Sequence, residues 1–102
     1  MGEFRTAIRI DPHLVVAHMN LGAALYHQGK LDEAGAEYRE VLRIEPKNLA
    51  AHLNLVDVLG RQGDRAGALS ELREFLRLAP NSGVAEAEIE RVRRTLAKLE
   101  KR

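Results

Sequence analysis

The stretch EYREVLRIEP, residues 37–46, decides the fold of this chain. Close variants of it are EFRTAIRIDP at residues 3–12 and ELREFLRLAP at residues 71–80, so successive copies begin 34 residues apart. In each copy, Glu is followed by an aromatic residue or leucine and then by arginine, and the copy ends in proline. A recurrence at one fixed interval predicts a tandem repeat, in which each copy forms the same part of a repeated unit.

The similarity extends over whole units. When residues 15–48 are aligned with residues 49–82 without gaps, 14 of the 34 positions are identical. The matched positions include the pairs Ala17/Ala51, His18/His52, Asn20/Asn54, Leu21/Leu55, Leu25/Leu59, Gly29/Gly63 and Ala34/Ala68. This internal similarity is the strongest signal in the sequence.

Each unit is predicted to contain two helices. The first has an apolar stripe at helical spacing, and Gly29 or Gly63 ends it, as glycine does where the backbone takes a positive φ. The second has its own stripe and ends near Pro46 or Pro80. The stripes of the first full unit are Ala17, Leu21, Ala24, Leu25 and Gln28, followed by Leu31, Ala34, Tyr38, Val41 and Leu42.

Polar residues at the starts of the predicted helices are candidate N-caps. Asn48, Asp64 and Ser82 each stand shortly before a predicted helix, and their short side chains can accept a hydrogen bond from a free backbone amide. Residues 84–101 form one longer predicted helix with a single apolar stripe. Its basic residues fall on roughly the opposite side, as expected of a terminal cap that faces water.

Composition excludes several classes of function. The chain has 102 residues, no cysteine and a net charge of +1, so disulfides, thiolate catalysis and cysteine-ligated zinc are excluded. No global field selects nucleic acid or membrane. No apolar run approaches the ~18 residues of a membrane span. No secretory signal is visible, so the cytoplasm is the expected compartment, although a signal further upstream would change this expectation.

The 34-residue period and its residue pattern resemble the tetratricopeptide repeat family. The matching residues of the first full unit are Leu21, Gly22, Leu25, Gly29, Ala34, Tyr38 and Pro46, and those of the second are Leu55, Leu59, Gly63, Ala68 and Pro80. The resemblance implies an all-α fold, a right-handed α-solenoid of antiparallel helix pairs. Gly22 fits the small-residue slot where the two helices of a unit touch.

We accordingly expect a single domain over residues 1–102. Residues 1–12 would supply the second helix of a truncated repeat, residues 15–48 and 49–82 would be full repeats, and residues 83–102 would form the capping helix.

Tetratricopeptide arrays resemble one another in stacking their first helices along a concave groove. The resemblance therefore implies a peptide-binding groove lined by Val16, Met19, Asn20, Ala23, Tyr26, His27, Ala50, Leu53, Asn54, Asp57 and Arg61. The residues from the two units stand side by side because they occupy equivalent positions 34 residues apart.

Asn20 and Asn54 are the sharpest candidates for ligand contact. A side-chain amide offers both an acceptor and donors, so it can match a peptide bond of an extended ligand. The alternative is that these asparagines cap or bridge neighbouring helices. Met19, Tyr26 and Leu53 could likewise form apolar pockets for ligand side chains or simply pack along the groove wall.

The last helix takes the place of the next first helix, and its Arg91 and Arg94 would join Arg61 at a basic end of the groove. Such an end would suit a partner of acidic character or a C-terminal carboxylate, because guanidinium groups pair with carboxylates. The alternative, a solvated cap face, is the more common role of such charges. The family variant that clamps chaperone C-termini is rejected, because Met19, Ala23, Val84 and Glu88 lack the required chemistry and only Asn54 matches.

No catalytic or metal-binding constellation is predicted, and no cofactor is expected. His18 and His52 occupy equivalent slots, but two histidines need further ligands, and no supporting Asp, Glu or His stands at a local spacing such as i+4. They are interpreted as packing histidines. The glycine-rich stretch 60–67 lacks the ending of a phosphate loop and reads as the turn between two helices.

These observations predict a non-enzymatic protein–protein interaction module that binds a peptide or partner segment in its groove. A first alternative is a self-association scaffold, since exposed terminal helix faces could pair in a homo-oligomer. A second is the non-catalytic part of a larger, possibly enzymatic protein. The basic residues 91–102 lack interleaved aromatics, so neither nucleic acid nor membrane is expected as a partner.

Overall fold

The computed structural model describes residues 12–101, and the regular elements in this part of the chain are all helical. The α-helices are α1 (Pro12–His27), α2 (Leu31–Ile44), α3 (Leu49–Arg61), α4 (Arg65–Leu78) and α5 (Glu86–Glu100), with a short 3₁₀ turn at Ala79–Asn81. Each helix packs against the next one along the chain. The prediction of an all-α fold is confirmed, whereas the predicted helix over residues 2–11 lies outside the described residues. The division into repeats at 15–48 and 49–82 stays a prediction.

Two equivalent glycines turn the chain between the helices of a pair. Gly29 and Gly63 have φ values of 80° and 79°. After α1, the amides of Gly29 and Lys30 donate to the carbonyls of Tyr26 and Leu25 at 3.0 and 2.9 Å. Gly63 and the residue after it make the same two bonds at the end of α3. This paired pattern satisfies the last carbonyls of the helix and requires a left-handed residue, as the sequence predicted for both glycines.

Two of the three predicted N-caps are present. The side chain of Asn48 accepts a hydrogen bond from the amide of Ala51 at 3.0 Å, and that of Asp64 accepts one from Gly67 at 2.8 Å. The prediction for Ser82 is wrong. Its hydroxyl donates to the carbonyl of Ala79 at 2.7 Å and so closes the 3₁₀ turn.

The reason is that the chain makes one more turn before α5 begins. Gly83 takes a φ of 83°, and the N-cap position falls at Ala85, which has no capping side chain. The last helix therefore starts at Glu86 rather than at residue 84.

The core lies between the helices in contiguous clusters. The largest joins buried residues of α2, α3 and α4: Ala34, Tyr38, Leu55, Val58, Leu59 and Ala68. A second seals the capping helix onto α4 through Leu72, Phe75, Ala79, Ile89 and Val92. Burial of one apolar stripe per helix is the main stabilisation available to a repeat fold, because each unit packs only on its neighbours.

The apolar stripe of α1 is less buried than its counterpart in α3. Leu21 is 47% exposed and Ala17 is also exposed, whereas the equivalent Leu55 and Ala51 are 1% and 0% exposed. In α3 this face packs against α2, with Ala51 in one cluster beside Val41. No described helix precedes α1, so the same side chains remain open. The prediction of a buried stripe therefore fails for this part of α1.

Candidate functional site

A cavity of about 210 Å³ opens where α1, α2 and α3 meet. Its walls combine small, aromatic, amide and carboxylate side chains: Ala23, Tyr26, His27, Tyr38, Asn54 and Asp57. Helix periodicity brings them together, because residues three or four apart fall on one face of α1 or α3. All but Tyr38 were expected from the sequence to line a groove.

A second cavity, of about 120 Å³, continues from α3 towards the capping helix α5. It is lined by Leu53, Val56, Asp57, Leu72, Arg91, Val92 and Thr95. Asp57 lines both cavities and joins them. We call the surface made by the residues of these two cavities the groove. It brings three further predicted positions, Leu53, Asp57 and Arg91, to one wall.

Arg61 lies across the entrance side of the first cavity. Its guanidinium carbon stands 4.9 Å from the centroid of the Tyr26 ring. This is a cation–π contact between α3 and α1, worth about 0.5–1 kcal/mol at an exposed site. Arg61 is therefore held against an aromatic face rather than free to reach a carboxylate.

Asp57 is the one carboxylate among the residues that line the two cavities. Within residues 12–101 it makes no hydrogen bond or ion pair, although its side chain is open to solvent. Partial burial raises its pKa above the usual 3.8, and the positive charge of Arg91 opposes that rise. The ionised form is thus less well solvated than on an open surface.

The neighbouring charges are already engaged. Arg91 forms an ion pair with Glu88 on its own helix. That hydrogen-bonded pairing lowers the pKa of Glu88 and raises that of Arg91. Tyr38, buried beneath the cavity, has its pKa raised first by burial and then by the charges of Asp57 and Tyr26. The groove floor therefore favours neutral Tyr38 beside an unpaired carboxylate.

The two asparagines differ in their placement. Asn54 is partly buried and lines the first cavity, whereas Asn20 is exposed and lines neither of the two cavities. Neither side-chain amide makes a hydrogen bond within the described part of the chain. The interpretation that they cap or bridge neighbouring helices therefore finds no contact in residues 12–101 to support it.

The remaining predicted groove residues lie outside the two cavities. Val16, Ala50 and Arg94 are exposed, and Met19 is partly buried against the core. Leu53 both lines the second cavity and packs on the cluster around Leu72. The two alternatives for Met19 and Leu53, wall packing and ligand pocket, thus coexist at Leu53, while Met19 packs.

Two lining residues were missed by the sequence reasoning. Tyr38 was assigned to the core stripe of the second helix, and it does lie there, 3% exposed, but its ring also closes the first cavity. Thr95 was passed over in favour of Arg94. The repeat period contained the signal, because Thr95 stands 34 residues after Arg61, as Arg91 does after Asp57.

The two equivalent histidines link the helices of a pair. Nδ1 of His18 donates to Glu37 Oε1, and Nδ1 of His52 donates to Glu71 Oε1, both at 2.6 Å. Glu37 and Glu71 stand 19 residues after their histidines, and sequence reasoning did not find them. Among the described residues no group of three or more His, Cys, Asp or Glu side chains could hold a metal ion.

The basic residues of α5 divide into two sets. Arg91 and Arg93 pair with Glu88 and Glu90 one turn earlier. Arg94, Lys98 and Lys101 are exposed and make no ion pair within residues 12–101. None of the helices described in this chain is long and apolar enough to cross a membrane.

Together, the consecutive packed helices and the groove along α1, α3 and α5 define a helical repeat protein. A family model described as TPR repeat matches residues 24–63, from the end of α1 through α2 to the end of α3. The five helices are consistent with tetratricopeptide repeats, and the resemblance predicted from the sequence is confirmed. A search of curated proteins returned no match. Tetratricopeptide repeats are in general non-catalytic protein–protein interaction modules.

Proposed function

We propose that this domain binds an extended segment of a partner protein in the groove. The observation that carries the proposal is Asn54. Its side-chain amide lines a cavity between three helices and makes no hydrogen bond to the described residues. A partly buried amide of this kind favours a bound state in which a peptide group supplies its partners.

The rigid frame around the groove supports the same proposal. Helices α1 and α3 are held by buried core residues and by glycine turns, so the groove exists before a ligand arrives. Preorganisation lowers the ordering cost of binding on the protein side. The two cavities lie side by side and share Asp57, so successive side chains of one extended segment could enter them.

The test is a selection of random dodecapeptides on the immobilised domain, followed by mapping of amide chemical shifts with the recovered peptides. We expect shifts at Ala23, Asn54 and Asp57. The Asn54→Ala variant should bind the same peptides several-fold more weakly, since loss of one neutral hydrogen bond is worth about 1 kcal/mol.

Asn81→Ala is the matched control, because Asn81 is exposed in the 3₁₀ turn, outside both cavities. Recovered peptides that bind both variants equally, or that shift residues on other faces, would move the binding site away from the groove.

A second function, self-association, is supported by the open stripe of α1. Leu21 and Val16 are 47% and 54% exposed, and the equivalent of Leu21 in the next unit is buried by a neighbouring helix. A helix from a second copy could cover the stripe of α1 in the same way. Sedimentation at increasing concentration tests this. Association that Leu21→Lys abolishes would support it, and a monomer throughout would exclude it.

A further inference from the structure

We infer that the first cavity of the groove receives a basic side chain, a lysine or arginine of the partner segment, with Asp57 as its counter-ion. The inference rests on the proposed function and adds the chemistry of the ligand. It starts from the contrast between Asp57, an unpaired carboxylate at the junction of two cavities, and the arginines nearby, which have contacts of their own.

The lining of the cavity is electron-rich. It presents the carboxylate of Asp57, the amide oxygen of Asn54 and the rings of Tyr26 and Tyr38, with neither lysine nor arginine among its walls. Aromatic faces and carboxylates attract cations, and a volume of about 210 Å³ is several times the ~30 Å³ share of a liquid water. An ammonium or guanidinium group on an alkyl stem matches both the charge and the shape.

The protein already contains a substitute for such a ligand. Arg61 places its guanidinium 4.9 Å from the centroid of Tyr26, on an aromatic wall of the cavity. This contact demonstrates that the ring accepts a cation in this setting. A ligand cation would compete with Arg61 for Tyr26 and would pair with Asp57, which no described residue pairs with.

The positive charges that favour an acidic ligand are less available than the sequence indicated. Arg91 is paired with Glu88, Arg61 lies on Tyr26, and Arg94 lines neither cavity. Partial burial of Asp57 raises its pKa, and a bound cation would relieve that desolvation. The charge balance inside the first cavity therefore favours a basic partner side chain over an acidic one.

The experiment uses two random peptide libraries that are identical except for one central position, fixed as lysine in one and as glutamate in the other. We expect the wild-type domain to retain the lysine library preferentially. Asp57→Asn should weaken binding of its best peptides by about fivefold, the upper range for an exposed ion pair.

Arg61→Ala should instead strengthen that binding by about two- to fivefold, because it removes a competing cation from Tyr26. Glu90→Gln changes the net charge as Asp57→Asn does, at a side chain paired with Arg93 outside both cavities, and should leave binding unchanged.

An acidic ligand gives the opposite signs: preference for the glutamate library, tighter binding by Asp57→Asn and weaker binding by Arg61→Ala. That result, or equal retention of both libraries in the groove, overturns the basic-ligand inference and leaves groove binding intact. If neither library is retained better by the wild type than by Asn54→Ala, groove binding itself fails. The two failures are therefore distinguishable.

Discussion

His52 donates from Nδ1 to Glu71 Oε1 across 2.6 Å, and its Nε2 lies 2.9 Å from the carbonyl oxygen of Pro46. The imidazole is 6% exposed. One side chain on α3 thus connects the next helix of its own pair to the turn that precedes it. His18 repeats the first of these contacts with Glu37, in a more exposed position.

His52→Ala should lower the free energy of unfolding by about 1–3 kcal/mol, because it leaves the Pro46 carbonyl and Glu71 without their donor. Urea unfolding monitored by helicity measures the change. His18→Ala is the matched comparison and should cost less, since the side chain of His18 is 16% exposed against 8% for His52. Equal losses in both variants would mean that the contact with Pro46 contributes nothing.

Gly22→Ala should destabilise the first helix pair. A Cβ atom at Gly22 would stand 2.7 Å from Cε1 of Tyr38, whose buried ring has little room to move. Overpacking of this kind costs about 1–3 kcal/mol.

Gly60→Ala provides the opposite case. Its Cβ would meet nothing within 4 Å, and α3 continues through this position. The substitution should stabilise by up to about 1 kcal/mol, since alanine is the better helix former. Thermal unfolding of the two variants should therefore shift in opposite directions, and a stabilised Gly22→Ala would show that Tyr38 can repack.

Asp57→Asn should stabilise the domain at neutral pH. Burial raises the folded-state pKa of Asp57 above 3.8, so the ionised carboxylate disfavours the folded state above that raised value. The penalty is absent below 3.8, appears as the pH rises through the folded-state pKa, and then stays constant.

The melting temperature of Asp57→Asn minus that of the wild type should therefore be positive at neutral pH and vanish below the ordinary aspartate value. Glu33→Gln, at an exposed side chain without a described partner, is the control and should show no gain. A gain that persists in acid would assign the effect to something other than the charge of Asp57.

Asp64→Ala should cost about 1 kcal/mol, because the carboxylate caps α4 by accepting the amide of Gly67 at 2.8 Å. Ser70→Ala, at an exposed position inside the same helix, should be neutral or slightly stabilising. Denaturant midpoints of the two variants check the difference. A neutral Asp64→Ala would indicate that water replaces the cap.

The helices and turns follow from local pattern and could be predicted from the sequence. Gly29 and Gly63 end α1 and α3 where expected, because only a residue that tolerates positive φ completes this turn without strain. Asn48 and Asp64 cap the helices after them for an equally local reason, since the acceptor and the amide are three residues apart. The 34-residue period then indicated which of these local elements are equivalent.

Only the tertiary structure decided how equivalent positions come to differ. Leu21 and Leu55 are the same residue in the same slot, yet one is open and the other buried, because burial depends on which helix covers the face. Ser82 lost its predicted capping role because the chain turned once more at Gly83.

The chemistry of the groove was decided in the same way. Arg61 reaches Tyr26 across 35 intervening positions of chain, and Asp57 remains unpaired because its neighbours bind elsewhere. The sequence by itself determined the repeat, the helices and the residues that stand along one face. Which of those side chains meet, which stay free and which enclose a cavity depends on packing between distant helices, and no local pattern encodes that.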